Sequence, residues 1–163
     1  MMDPELPLDV THEVGWACLC LRAQRAARQL ARIFDEVFRP LGLTNGQFSL
    51  LMSLNRPAPP RLTDLTGQLG MDRTTLTAAV KVLERRELMR QEPDEKDKRA
   101  KRLMLTDEGR AILKEALPIW RETHAKIEAE LERITAAQLR DGLDQIAGRS
   151  KPPEGAPGAA AKS

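Results

Sequence analysis

Residues 94–106 read DEKDKRAKRLMLT, and five of the seven side chains from Lys96 to Arg102 are cationic: Lys96, Lys98, Arg99, Lys101 and Arg102. A second set lies upstream, where Arg73, Thr74, Thr75, Thr77, Ala78 and Lys81 fall close together. The chemistry open to these residue types is binding, not bond-making. Guanidinium and ammonium groups neutralise phosphate oxygens, arginine can read a base edge, and short hydroxyls and methyls permit close approach to a groove. A charge run taken alone is ordinarily a solvated loop, so its meaning depends on the elements that carry it.

The stretch LTNGQFSLLMSLN predicts a helix from about Thr44 or Asn45 to Leu54, and the following RPAPPR forbids its continuation. RLTDLTGQLG predicts a short helix with Leu62, Leu65 and Leu69 inward, closed by Gly70 as a C-terminal cap. After a tight turn, DRTTLTAAVKVLERREL predicts a stronger helix over about Asp72 to Arg86, buried along Leu76, Val80 and Leu83. Two helices about a short glycine-containing turn make a helix-turn-helix. Subtracting the buried face of the second helix leaves Arg73, Thr74, Thr77, Ala78 and Lys81 outward with Thr75 beside them, and Thr63 on the first helix as a further donor. A helix N-terminus also presents backbone N–H groups to phosphate.

ELMRQEP and AKRLMLT read as strands that turn back through Asp94 to Arg99. The basic run therefore occupies the tip and returning strand of a hairpin directly after a recognition helix, the order of a winged helix. Phosphate contact or insertion into an adjacent minor groove is then its task.

On the N-terminal side, Trp16, Cys20, Ala23, Ala27, Leu30, Phe34, Val37 and Leu41 recur at helical spacing. On the other side Leu113, Leu117, Trp120, His124, Ile127, Leu131 and Ile134 do the same. Thr106 is a good N-cap for this second long helix, Pro118 lies off its stripe and is expected to kink the helix without ending it, and a last helix is expected over about Ala136 to Ala147 after Thr135. Two uncovered apolar stripes call for assembly, and a two-fold dimer would set two recognition helices about 34 Å apart, one DNA turn. The fold class expected is mainly α with a small β-hairpin wing. Residues 1–13 read as a flexible arm and 14–147 as the folded domain. Within it, 14–41 and 106–147 are assembly helices, 44–105 is a nucleic-acid-binding lobe, and its wing spans about 88–105. Residues 149–163, RSKPPEGAPGAAAKS from Arg149, have almost nothing to bury and read as a disordered tail.

The totals agree. The formal charge is only +2, from 26 Lys and Arg against 24 Asp and Glu, so nucleic-acid affinity must come from local clustering. Aromatics make up 3% and Tyr is absent, which favours aliphatic helix packing. No run approaches the roughly 18 apolar residues of a membrane helix, so a soluble, cytoplasmic protein is expected. Enzyme chemistry fails on inventory, because there is no Gly-rich phosphate loop, no Ser, His and Asp arrangement in context, and no paired carboxylates off solvated faces. No cofactor is expected. Nor is a metal: His124 has only Glu128 at ligand spacing, and His12 has no partner set. Cys18 and Cys20, if on one helix, point roughly 200° apart and do not bridge.

On these residues the chain resembles the MarR family of bacterial transcription regulators over about residues 14–147. The resemblance is carried by LRAQRAARQLARIFDEVFRPLGLTNGQFSLLMSL, by LTDLTGQLGMDRTTLTAAVKVLERREL and by DKRAKRLMLTDEGR. Asp97 and Arg99 fall where that family has the Asp-x-Arg of its wing, and Leu105, Thr106 and Gly109 match its Leu-Thr-x-x-Gly. The resemblance implies a homodimer held by N- and C-terminal helices, reading an inverted-repeat operator in double-stranded DNA. It also implies that Arg99 inserts at the wing tip while Arg73, Thr74, Thr75 and Lys81 meet the major groove. Lys96, Lys98, Arg99, Lys101 and Arg102 are phosphate candidates and Asp97 a brace for a neighbouring arginine.

A repressor of its own or a neighbouring operon, released by a small aromatic ligand or an oxidant, is the function implied. Cys20 precedes PLGLT by the interval of the peroxide-reactive cysteine in one branch of the family. That branch activates its thiol with tyrosines, whereas Gln24 and Phe48 stand here at two such places, and a buried packing thiol is the other reading. An effector pocket involving Trp16, Arg22, Phe34, Phe48 or Trp120 is expected between helices and lobe. The competing function is a winged-helix module that binds protein, with the basic hairpin as a soluble edge.

Overall fold

The computed structural model describes residues 6–148; the expected tail at 149–163 and the first five residues of the arm lie outside the described residues. Seven helices and one hairpin are described: α1 (Leu8–Ala17), α2 (Leu19–Phe38), α3 (Asn45–Leu54), α4 (Leu62–Leu69), α5 (Arg73–Arg85), β1 (Met89–Pro93), β2 (Lys101–Leu105), α6 (Asp107–Ala129) and α7 (Ala136–Ile146). The chain forms two compact units, one up to Arg121 and one from Glu122.

Two features at the N-terminus differ from the reading above. The arm expected through residue 13 is helical from Leu8, because Pro7 caps the helix in an extended conformation and its carbonyl accepts the Val10 N–H at 3.1 Å. The stripe from Trp16 to Leu41 is also not one helix. Cys18 is extended (φ −69°, ψ 106°) and becomes the N-cap of α2, its sulfur accepting the Leu21 N–H at 3.4 Å. The condition under which both cysteines would share one helix is therefore not met; Cys20 alone lies within α2.

Local rules set the remaining boundaries. Thr44 and Gln47 exchange side-chain and backbone hydrogen bonds as a capping box for α3. Asp64 Oδ2 accepts the Arg61 N–H at 2.8 Å at the start of α4, and Gly70 ends that helix with φ 62°. Asp72 caps α5, and Thr106 caps α6 by accepting the Gly109 N–H at 3.0 Å. Pro118 lies inside a continuous α6. The strands pair antiparallel, Met89 opposite Leu105 and Pro93 opposite Lys101, and Arg61 adds an isolated bridge to Arg102.

The core of the first unit gathers Phe38, Leu50, Leu51, Leu65, Leu76, Leu83, Met89 and Leu103, all fully buried. Each side chain of this size contributes about 1.5–3 kcal/mol by leaving water. Phe38 stacks between Phe34 and Phe48, with ring centroids 5.8 and 4.7 Å away. Leu76, Val80 and Leu83 hold α5 on this core, which fixes the opposite face outward. In the second unit, Thr135 and Gln138 form the capping box of α7, and Glu128 accepts from Arg140 and lies 3.1 Å from His124 Nδ1. No residue of α7 is buried.

Candidate nucleic-acid interface

The exposed face of α5 carries Arg73, Thr74, Thr75, Ala78 and Lys81, with Thr77 half-buried. Two of the hydroxyls are already engaged. Thr75 donates its hydroxyl to Asp72 Oδ2 at 2.6 Å and its N–H to Asp72 Oδ1 at 2.9 Å; Thr77 donates back to the Arg73 carbonyl at 2.7 Å. The two Thr75 bonds, the hydroxyl foremost, hold the Asp72 carboxyl below the usual carboxylate range. The N-terminus of α5 is thus less open to a phosphate than its sequence implied, because its own acid takes the Thr75 N–H.

A cleft of about 500 Å³ opens between α4, α5 and the hairpin, and brings together Thr63, Arg73, Thr77, Asp97, Arg99 and Lys101 from the sequence reading. Arg61, Leu62, Gln91, Ala100 and Leu103 complete its wall. Thr74, Thr75, Lys81, Lys96 and Lys98 stand outside this lining, all exposed. Four acidic or cationic tip residues, Lys96, Asp97, Lys98 and Arg99, project from a turn closed by Asp97, whose Oδ1 accepts the Arg99 N–H at 3.0 Å and whose carbonyl accepts the Ala100 N–H at 2.8 Å.

The charged centre of the hairpin is a residue that sequence reasoning missed. Asp94 is 2% exposed. Its Oδ2 accepts from Arg61 Nε at 3.1 Å and from Arg102 Nε, and its Oδ1 accepts the N–H groups of Lys96 and Asp97 at 2.9 and 3.1 Å. The Arg61 hydrogen bond, ahead of the two backbone donors and Arg102, holds the Asp94 carboxyl well below the ordinary carboxylate range. Arg61 is raised in turn, first by the same bond. Arg102 also donates to the Pro59 carbonyl at 2.9 Å. Its place among the phosphate candidates is therefore corrected: it faces inward and ties the wing to the segment before α4. An acid inside a basic hairpin was the available signal, since a buried carboxylate must find cations.

None of the expected effector residues lines either of the two cavities described here. Trp16 is 75% exposed and lies under the Arg22 guanidinium, 5.5 Å from ring centroid to Cζ, while Arg22 Nε donates to the Trp16 carbonyl at 2.8 Å. Phe34 and Phe48 belong to the core stack, and Trp120 is half-buried on α6. Cys20 is exposed, not packed away, and its sulfur accepts from Gln24 Nε2 at 3.2 Å. A smaller cavity of about 170 Å³ lies between Met52, Asn55, Leu105, Arg110, Leu113, Lys114 and Leu117. Among the described residues no group of three or more His, Cys, Asp or Glu could hold a metal ion, and no helix is long and apolar enough to cross a membrane.

Comparison with known proteins places this geometry. Residues 43–101, which span α3 through the wing tip, match the model of the MarR family. The chain is 30% identical over 116 residues to the HTH-type transcriptional repressor NicR of Pseudomonas putida, covering 71% of this chain and 70% of that protein. The crystal structure of the M. tuberculosis transcriptional regulator MosR in complex with DNA superposes with a TM-score of 0.73 at 36% identity, over 80% of this chain and 94% of that one. A mutant of E. coli MarR complexed with operator DNA shares the fold at TM-score 0.73 and 23% identity, over 82% of this chain and 96% of that one.

Proposed function

Since the chain belongs to the MarR family of winged-helix transcriptional regulators, we propose that it acts as a homodimeric repressor that holds an inverted-repeat operator between its recognition helices and wings. The observation that carries this reading is the cleft between α4, α5 and the hairpin, where Arg61, Arg73, Arg99 and Lys101 converge beside short side chains. Concave, cationic and lined by groups that allow close approach, it suits a phosphodiester strand flanking a groove. Arg73 is assigned to base readout from the start of α5, Thr74, Thr75 and Thr77 to groove contact, and Lys81, Lys96, Lys98 and Lys101 to phosphates. Arg99 reaches into the minor groove from the wing tip. Thr63 donates to backbone. A small-molecule effector that alters the spacing of the two lobes would release the operator, and the setting is cytoplasmic.

DNA-complexed relatives favour this reading over a protein-binding module. The test is binding to the region upstream of its own gene and to random duplex, followed across a salt series. Log affinity should fall with log salt by about 0.9 per phosphate contact. Arg99→Ala should weaken all sequences together, whereas Arg73→Ala should lose preference at one operator position, worth about 1–3 kcal/mol. A salt-independent affinity would overturn the proposal.

A further inference from the structure

The C-terminal turn of α5 is gripped from two sides. Arg86 leaves the helix and donates from Nη1 to the Gly42 carbonyl at 2.6 Å, with Nη2 3.4 Å from the Leu41 carbonyl. Both acceptors close the short 3-10 turn (Arg39–Leu41) that terminates α2. On the other side Thr106, the cap of α6, donates its hydroxyl to the Glu87 carbonyl at 2.6 Å and its N–H to the Leu88 carbonyl at 3.3 Å. Gly109 lies so close that a Cβ there would stand 1.9 Å from the Leu88 oxygen. The three consecutive residues Arg86, Glu87 and Leu88 thus carry contacts to the end of α2 and the start of α6.

We propose that Arg86 and Thr106 are positioning residues that set the half-site spacing the dimer accepts, an inference that rests on the operator-binding reading above. The reason is leverage. The α5 helix of 13 residues is about 20 Å long, its C-terminal end is the gripped one, and its DNA-facing residues lie at the other end. A rotation of about 10° at the grip moves the far end by about 3.4 Å, one base-pair step. Neither residue faces the cleft, so their effect on DNA is transmitted through the angle of α5 to the helices that flank the lobe.

Binding to operators whose half-sites are drawn together or apart by one base pair tests this. The parent protein should prefer one spacing; Arg86→Met should lose roughly tenfold of that discrimination, the size of a single base-pair mismatch, with an unchanged salt slope. Arg86→Lys should fall between. Thr106→Asp keeps an acceptor for the Gly109 N–H but has no proton for the Glu87 carbonyl, so it should act like Arg86→Met, and it carries the test if Arg86→Met does not fold. In parallel, spin labels at Thr74→Cys in a Cys18→Ser, Cys20→Ser homodimer without DNA should show a broader distance distribution in either variant. Equal loss at every spacing, with an unchanged distribution, would overturn the inference. Failure of the parent protein to bind any duplex would strike instead at operator binding, and the label distances would still decide whether the grip sets the angle.

Discussion

At residue scale, two backbone positions decide more than their neighbours. Glu87 has φ 58°, the left-handed region, at the end of a Schellman turn in which the Leu88 N–H reaches the Leu83 carbonyl and the Glu87 N–H the Glu84 carbonyl. A side chain there costs about 1–2 kcal/mol, more than the flexibility that glycine adds to the unfolded chain. Glu87→Gly should therefore stabilise by about 0.5–1 kcal/mol, read as a higher urea midpoint at constant slope. Gly109 is the converse. A methyl at 1.9 Å from a backbone carbonyl cannot be accommodated by a rotamer change, so Gly109→Ala should destabilise by about 1–3 kcal/mol in the same titration. Family resemblance marked Gly109 from sequence alone; its reason, the Leu88 carbonyl, is a tertiary contact. Nothing in the sequence marked Glu87, because no local pattern reports the sign of φ.

At the scale of elements, the wing is braced from within. Its strands pair over only five residues each, and a two-stranded hairpin of that length is marginal unless anchored. Asp94 supplies the anchor through Arg61, Arg102 and two backbone N–H groups. Because its folded carboxyl titrates below the unfolded value, the stabilisation is present above the ordinary carboxylate range and is lost as pH falls through the folded value. Asp94→Asn should speed amide exchange at Asp97 and Ala100 near neutrality, and the difference from the parent should shrink as acid protonates Asp94. A constant difference down to the acid limit would sink the assignment. The hairpin itself was legible from alternation and turn residues. The brace was not, since Arg61 lies 33 positions from Asp94 and enters through the bridge to β2.

For the whole molecule, each of the two units leaves apolar side chains exposed. Trp16, Leu19, Leu139, Leu143 and Ile146 are all exposed in the single chain, on α1, α2 and α7. Apolar side chains exposed in this number are what the proposed homodimer would cover. Leu143→Glu with Ile146→Glu should yield a monomer by light scattering and lose most operator affinity, because one lobe alone forfeits the second half-site. Retention of the dimer would move the interface elsewhere. The loss should be larger than for any single cation on the wing, each of which removes about one phosphate contact and about 0.9 from the salt slope.

Helix periods, caps and turn residues are local, so the chain alone determined α3, α4, α5 and α7, the start of α6, the hairpin, the outward face of α5 and the family to which they belong; α6 itself ends at Ala129, short of the stripe positions Leu131 and Ile134. Thr44, Asp72, Thr106 and Thr135 each announced a helix within four residues of themselves. Tertiary structure decided which cations stand exposed and which serve the fold. Arg99 and Arg102 are three residues apart in one basic run, yet the first is exposed at the tip and the second is turned inward to Asp94 and Pro59. That division depends on where a distant carboxylate and carbonyl lie in space, and such partners leave no period or spacing in the run itself.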